Sequence, residues 1–552
     1  MRPMQAAPSP RSRGIHPIGL ELLLALWLAT VGNVALWRAV YLSPDVQQPG
    51  GLWVMFTFAM VVGAALLAVL TALMWGPWRR ALGVVLLLLS SVAGYFMFTY
   101  GIVIDPGMVA NVFHTDRLET QGLLSAHLAM ALFVGAVLPS IVWWRMPVRP
   151  VAARHQWWQR SATVLVALAV LVVALLSGFQ GISSLMRNHK SLRYMVNPFN
   201  VVYGVVVQGL GETAMAAQPL RPVGLDASVR ITAAAHDRAP LVVVVVGETV
   251  RAANFGLGGY ARATTPRLQA LRTEGDLVYF SDVQSCGTST QVSVPCLFSR
   301  RGRAGLNQAH EESLVDLVQR AGLGVYWLDN QAGCKGVCDR IPHRFLSSMA
   351  SPEHCPDGEC PDALLLQSLP GVLAAIDRGR DRQGSLVVLH QMGNHGPEYH
   401  RRSQPEHKLF MPECRSKALA SCEPSSIVNA YDNAIRETDA LLADTVAWLK
   451  QQDRPVALLY VSDHGESLGE KGIYLHGMPW SIAPAEQKQV PMLLWMSPDM
   501  RRVQDVQTSC LNALASRPWS QDNVFHTVSG LLRLSGSDID AAKDLLAPCR
   551  RV

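Results

Sequence analysis

In the stretch "SCGTSTQVSVPCLFS", residues 285–299, Thr288, Ser289, Thr290 and Ser293 stand between Cys286 and Cys296. A hydroxyl is a weak nucleophile unless a base or a metal activates it, so the groups that matter are carboxylates and imidazoles able to reach it. They occur at the ends of apolar runs: Glu248 after "LVVVVV", Asp463 and His464 after "VALLYVS", His395 after "SLVVLH", with His476 in "YLHGMPW". Two carboxylates and one imidazole from separate runs supply hard and borderline donors suited to Zn²⁺, with a fourth position vacant for chemistry. Each residue alone has an ordinary explanation. A carboxylate after a strand is commonly a helix cap, and Asp-His before Gly is commonly a turn. Recurrence at strand ends favours the metal reading without deciding it.

The elements that must position these groups are continuous apolar runs of strand length: "LVVVVV" from 241, "LVYF" from 277, "GVYWL" from 324, "SLVVLH" from 385, "VALLYV" from 456 and "VPMLLW" from 490. Amphipathic stretches such as "SLVDLVQRAG" and "VNAYDNAIRETDALLADTVAWLKQ" intervene. Strands buried on both faces and alternating with helices predict an α/β domain with a mainly parallel sheet, beginning near Ala239. Ligands gather beyond the carboxyl ends of such strands.

The first third of the chain is different. Five apolar stretches, Pro17 to Leu42, Leu52 to Trp75, Ala81 to Tyr100, Leu123 to Trp144 and Ser161 to Phe179, are each near the ~20 residues that cross a ~30 Å hydrocarbon layer. The first is too long for a signal peptide and lacks a small-residue cleavage site. Arg2, Arg11, Arg13, Arg79, Arg80, Arg149 and Arg154 lie in alternate loops, which places those loops in the cytoplasm and everything after Phe179 outside. Arg187, Lys190 and Arg193 run against that bias, as a long translocated domain tolerates. Residues 180–238 form a connector whose apolar "YMVNPFNVVYGVVVQGL" is too short and broken for another span and reads as a membrane-surface segment. The division is thus 1–179, 180–238 and 239–552. With 48 Lys plus Arg against 42 Asp plus Glu, the charge is too mild for a nucleic-acid partner.

All 10 cysteines follow the last span. Cys286/Cys296, Cys334/Cys338, Cys355/Cys360 and Cys414/Cys422 form close pairs that suit disulfides in an oxidising compartment such as a periplasm, leaving the pairing of Cys510 and Cys549 open. A zinc cluster built from the 334/338 and 355/360 pairs is the rival reading, against which the spacing argues.

The blocks "GETVRAANFGLGGYARATTPRL" (247–268), the cysteine-fenced stretch above, "DNQAGCKGVCDRIP" (329–342), "GNHGPEYHRR" (393–402), "YDNAIRETD" (431–439) and "SDHGESLGEKGIYLHGMPW" (462–480) resemble, in order, the signature blocks of lipid A phosphoethanolamine transferases. That family includes the mobile colistin-resistance enzymes. The resemblance implies a multi-pass protein of the inner membrane of a Gram-negative bacterium, monomeric, with an alkaline-phosphatase/sulfatase-like periplasmic domain. It implies transfer of phosphoethanolamine from phosphatidylethanolamine to a lipid A phosphate by double displacement. Carried over by position, Glu248, Asp463, His464 and the nucleophile Thr290 bind one zinc ion, a second being left open. His395, His476 and Lys335 hold phosphoryl oxygens or move protons. Thr288, Ser289 and Ser293 become positioning or capping groups.

Between the third and fourth spans Asn111, Thr115 and Glu119 recur every four residues, which predicts one helical face. By resemblance this face receives the ethanolamine head group; a solvated face with a capping Thr115 is the alternative. Other functions fit less well. A sulfatase needs Cys or Ser in a C/S-x-P-x-R context, which the outer domain lacks. A phosphoglycerol transferase has different blocks, and a transporter or sensor fits poorly with spans whose ionisable residues are chiefly Glu21 and Arg38. Core heptose or Kdo sugars remain alternative acceptors.

Overall fold

The computed structural model describes residues 14–550 apart from 116, 217, 231–238, 307–309, 350–354, 356–358 and 379–382. The end of the connector and the Glu119 side chain therefore lie outside the described residues. The chain divides into two compact units, Met1–Pro106 with Leu124–Val206, and Gly107–Leu123 with Val207–Val552.

Among its described residues the first unit holds five helices long and apolar enough to cross a membrane: Pro17–Tyr41, Gly51–Leu73, Trp78–Tyr100, Ala126–Arg145 and Ala153–Ser177. The first carries a 3₁₀ turn at Val31–Asn33, where the Asn33 amide donates to the carbonyls of Leu28 and Asn197 at 2.8 and 2.6 Å. The fifth begins eight residues before the expected Ser161, at Ala153. The reason is Arg160, which bonds the Glu21 carboxylate and the carbonyls of Thr71 and Met74, so the polar end of the helix is held inside the bundle. Arg79 stands 3.6 Å from the same carboxylate. Buried charges in an apolar bundle require such partners.

The second unit is built on a seven-stranded sheet. Its strands are β1 (Leu241–Gly247), β2 (Leu277–Phe280), β3 (Gly324–Asp329), β4 (His343–Phe345), β5 (Ser385–His390), β6 (Val456–Ser462) and β7 (Met492–Met496). Their order is β2-β7-β6-β1-β5-β3-β4. The five strands from β6 to β4 are mutually parallel, while β7 runs antiparallel to both neighbours, so the sheet is mainly parallel with one reversed strand.

β1 is buried throughout. Val242, Val244 and Val246 pack on one face with Val294, Leu314 and Phe525. Val243 and Val245 pack on the other with Leu268, Leu365 and Ile427. Helices cover both faces, Leu314–Arg320 and Val524–Leu531 on one, Ala363–Arg378 and Pro424–Leu449 on the other. Each fully buried valine contributes roughly 1.5–3 kcal/mol relative to exposure, so the β-branched run fixes the centre of the sheet and the direction in which β1 delivers Glu248.

Five disulfides join Cys286–Cys296, Cys334–Cys338, Cys355–Cys360, Cys414–Cys422 and Cys510–Cys549. The cysteine pairs at 334/338 and 355/360 are therefore not metal ligands.

Candidate active site

Glu248 and Asp463 leave adjacent parallel strands at the same end of the sheet, because β1 and β6 pair in register from Leu241↔Val456 to Gly247↔Ser462. The backbone after β1 turns sharply: Thr249 takes φ 61°, donates its amide to Asp463 Oδ1 at 3.0 Å and its hydroxyl to Glu248 Oε1 at 2.5 Å. Gly393 sits against this turn with φ +49°, where a Cβ would come within 2.7 Å of the Glu248 carbonyl. A side chain there would push the turn aside.

The third arm is the helix Thr290–Leu297. Thr290 is its first residue, after Ser289 in extended conformation, so its amide and that of Gln291 lie among the unpaired donors of a helix start. Thr290 Oγ1 stands 3.3 and 3.2 Å from the two Glu248 oxygens and 3.3 Å from His464 Nε2. Thr288 donates to the Met478 carbonyl at 2.6 Å, and the Ser293 hydroxyl accepts from the Gly287 amide at 3.1 Å. Those two hydroxyls shape the loop. Ser289 makes no side-chain cap bond.

Glu248, Asp463 and His464 each offer a ligand atom within 4.8 Å of the others, and all three are buried. Among the described residues Asp463 Oδ2 has no hydrogen-bond partner. His464 Nδ1 bonds the Gly465 carbonyl at 2.9 Å, which places the ring proton there and leaves the Nε2 lone pair facing Glu248 and Asp463 at 3.6 and 3.3 Å. Burial pushes the His464 imidazole down to about 4, partly opposed by Asp463, so the ring is neutral at physiological pH. A buried carboxylate oxygen without a donor, beside a neutral imidazole and a second carboxylate, is a donor set that a dication completes.

Around this set, His476 packs against His464 with ring centroids 4.3 Å apart, and His395 lies 5.8 Å from His476. His476 Nδ1 bonds Glu466 Oε2 at 2.9 Å, and the Tyr399 hydroxyl donates to Glu466 Oε1 at 2.5 Å. Lys335 takes φ 50° inside the Cys334–Cys338 loop and donates to the Ala332 carbonyl at 3.0 Å. A small cleft of about 20 Å³ is lined by Asn111, Thr115, Thr290, Gln291, Gln331, Lys335 and His476.

The single helical face expected for Asn111, Thr115 and Glu119 is corrected. The helix Pro106–His114 ends before Thr115, and a second, Arg117–Leu123, carries Glu119. Thr115 donates its hydroxyl to the Asn111 carbonyl at 2.7 Å, the local bond by which Thr competes with helix continuation. Asn111 and Thr115 still share the cleft.

Two groups escaped the sequence reading. Glu466 lies within the quoted "SDHGE", and His390 is the last residue of β5. His390 Nδ1 bonds Asp329 Oδ2 at 2.9 Å, and its Nε2, without a hydrogen-bond partner among the described residues, is 3.9 Å from Glu248 Oε2.

A buried donor set and a hydroxyl at the carboxyl ends of a helix-covered, mainly parallel sheet define the sulfatase and alkaline-phosphatase class. The family signature described as "Sulfatase" matches residues 240–534, and that described as "Phosphoethanolamine transferase EptA/EptB" matches residues 62–208. The chain is 36% identical to phosphoethanolamine transferase EptA of Salmonella typhimurium over 538 residues, 96% of each chain. It is 35% identical to phosphatidylethanolamine transferase Mcr-1 of Escherichia coli, over 97% of this chain and 98% of that one. The integral membrane lipooligosaccharide phosphoethanolamine transferase A of Neisseria meningitidis superposes with a TM-score of 0.92 at 31% identity, covering 98% of this chain and 100% of that one. The chain belongs to the EptA phosphoethanolamine transferase family. It is a multi-pass inner-membrane enzyme with a soluble periplasmic domain.

Proposed function

We propose that the chain moves phosphoethanolamine from phosphatidylethanolamine to a lipid A phosphate through a phosphoethanolamine ester on Thr290. The observation that carries this reading is Thr290 Oγ1, 3.2–3.3 Å from Glu248 and His464 at the first turn of a helix. Glu248, Asp463, His464 and Thr290 would hold zinc, which when bound lowers the pKa of the hydroxyl and offsets phosphoryl charge.

In the first displacement, Thr290 Oγ1 attacks the donor phosphorus. The Thr290 hydroxyl proton passes to the Glu248 carboxylate it faces as the Oγ1–P bond forms, the P–O bond to diacylglycerol breaks, and the leaving oxygen takes a proton. His476, oriented through Nδ1 by Glu466, supplies that proton from Nε2, with His395 beside it. In the second, a lipid A phosphate oxygen attacks the same phosphorus, giving its proton to His476, and the Thr290 oxygen leaves with the proton held by Glu248. The amides of Thr290 and Gln291 and the Lys335 ammonium hold the non-bridging oxygens through both steps. Asn111, Thr115 and Glu119 receive the ethanolamine end, whose ammonium the Glu119 charge suits.

Mass spectrometry of lipid A from a polymyxin-sensitive bacterium expressing the chain tests the reading. Added phosphoethanolamine that disappears with Thr290→Ala is the expected result. Addition to a core heptose or Kdo sugar instead overturns the acceptor, and addition that survives Thr290→Ala overturns the nucleophile.

A further inference from the structure

Beside the nucleophile loop, on residues that share nothing with the cleft lined by Asn111 and Lys335, two cations converge on one indole. The Arg303 guanidinium carbon lies 3.6 Å from the centre of the Trp480 ring, and Lys488 Nζ lies 5.4 Å from it. Among the described residues neither side chain forms an ion pair; the carboxylate of Asp522 acts on Arg303 only at longer range and accepts its backbone amide at 2.8 Å. Arg303 donates one N–H to the Cys286 carbonyl. The rest of its fork has no partner among the described residues. Two like charges gathered at one ring repel each other, and an anion between them relieves the repulsion while using the donors left over.

The platform is rigid and tied to the loop that carries Thr290. The Lys488 carbonyl accepts from the Ser285 amide at 2.8 Å, and Thr288 exchanges bonds with Gly477 and Met478 at 2.7 and 2.6 Å. Gln487, fully buried, bonds Ser467, Leu475 and Met478 and so fixes the backbone between Trp480 and Lys488. His476 lines the cleft with Thr290. Trp480 is four residues further on, so at about 3.5 Å per residue its backbone lies no more than ~14 Å from that of His476, a limit that a phosphorylated disaccharide can span.

We propose that Arg303, Lys488 and Trp480 form an acceptor subsite for a second phosphate, the one not being modified, of a bisphosphorylated glycolipid. The subsite rests on the lipid A reading above. It gives the second displacement a recognition element that the first does not use, because the phosphatidylethanolamine donor carries a single phosphate.

The two displacements can be followed separately with the purified full chain. It is first loaded in phosphatidylethanolamine vesicles, then given bisphosphorylated or monophosphorylated lipid A. Lys488→Gln, whose side chain makes no hydrogen bond among the described residues, should load Thr290 at the wild-type rate. It should discharge onto the bisphosphorylated acceptor with KM raised about tenfold, the scale of one charge-assisted hydrogen bond, and kcat within about twofold. On the monophosphorylated acceptor carrying only the reacting phosphate, variant and wild type should coincide. Wild-type loading and discharge with unchanged Lys488→Gln kinetics would overturn the subsite, as would equal slowing on both acceptors. A wild type that loads but discharges onto no lipid A would instead overturn the acceptor reading, and the subsite with it.

Discussion

At the residue scale, Asp463 Oδ2, which has no hydrogen-bond partner among the described residues, is the oxygen left for a metal ion. Asp463→Asn keeps the Oδ1 acceptor for the amides of Thr249 and His464 while removing the charge. The expected outcome is loss of bound zinc from the purified chain, read by elemental mass spectrometry, with transfer falling by about 100-fold or more. Thr115→Ala should leave zinc content unchanged and raise KM for phosphatidylethanolamine about 3- to 10-fold, the worth of one hydrogen bond. Unchanged KM would remove Thr115 from head-group recognition. The grouping of Glu248, Asp463 and His464 was legible in the sequence because strand ends announce themselves: all three follow valine- and leucine-rich runs. His390 was not, since a histidine closing "SLVVLH" reads as the end of a strand, and only its position 3.9 Å from Glu248 reveals where its second nitrogen points. Glu466 was hidden for a similar reason: its partner His476 arrives from ten residues away.

At the scale of elements, the cysteine fence and the caps decide how firmly the loops are held. Removing the Cys286–Cys296 disulfide by a double Ala substitution should destabilise the periplasmic unit by about 2–3 kcal/mol in the chain-entropy picture, and loading of Thr290 should slow because its helix start loses its tether. The helix Pro266–Thr273 is capped from a distance by Asp439, whose two oxygens accept from Leu268 and Arg267 at 2.8 and 3.0 Å. Burial nonetheless pushes the Asp439 carboxyl up to about 6 against those amides. The folded protein therefore binds this proton more tightly than the unfolded chain. Stability from this group is full below about pH 4, falls as pH rises through about 6 and is flat above, a loss of about 3 kcal/mol. Thermal unfolding of Asp439→Asn between pH 4 and 7 should lack that decline. The strands of the sheet were readable as apolar runs, yet the reversal of β7 was not, because a strand buried on both faces has the same composition in either direction. β4, "HRF", is short and exposed at the sheet edge and carries no apolar signal. The break at Thr115 was missed because a four-residue spacing is compatible with one helix or with two.

For the whole molecule, the division of the sequence into apolar and cysteine-bearing parts follows from solvent and redox compartment, which is why it is visible without a structure. The spans needed 20 or so apolar residues, and only their polar ends, such as the turn before Arg160, were set by partners that spacing does not show. The proposed product has a consequence for the cell. Capping a lipid A phosphate with an ethanolamine ammonium offsets negative surface charge, so cationic peptides lose Coulomb attraction. Survival in polymyxin should rise on expression of the chain and return to the control level with Thr290→Ala. The most direct test of the central claim is peptide mass spectrometry of the full chain after incubation with phosphatidylethanolamine in the absence of acceptor. The prediction is one phosphoethanolamine on Thr290, absent from Asp463→Asn and discharged on adding lipid A. An adduct on Thr288 or Ser289 instead, or transfer that proceeds with Thr290 never modified, would contradict it.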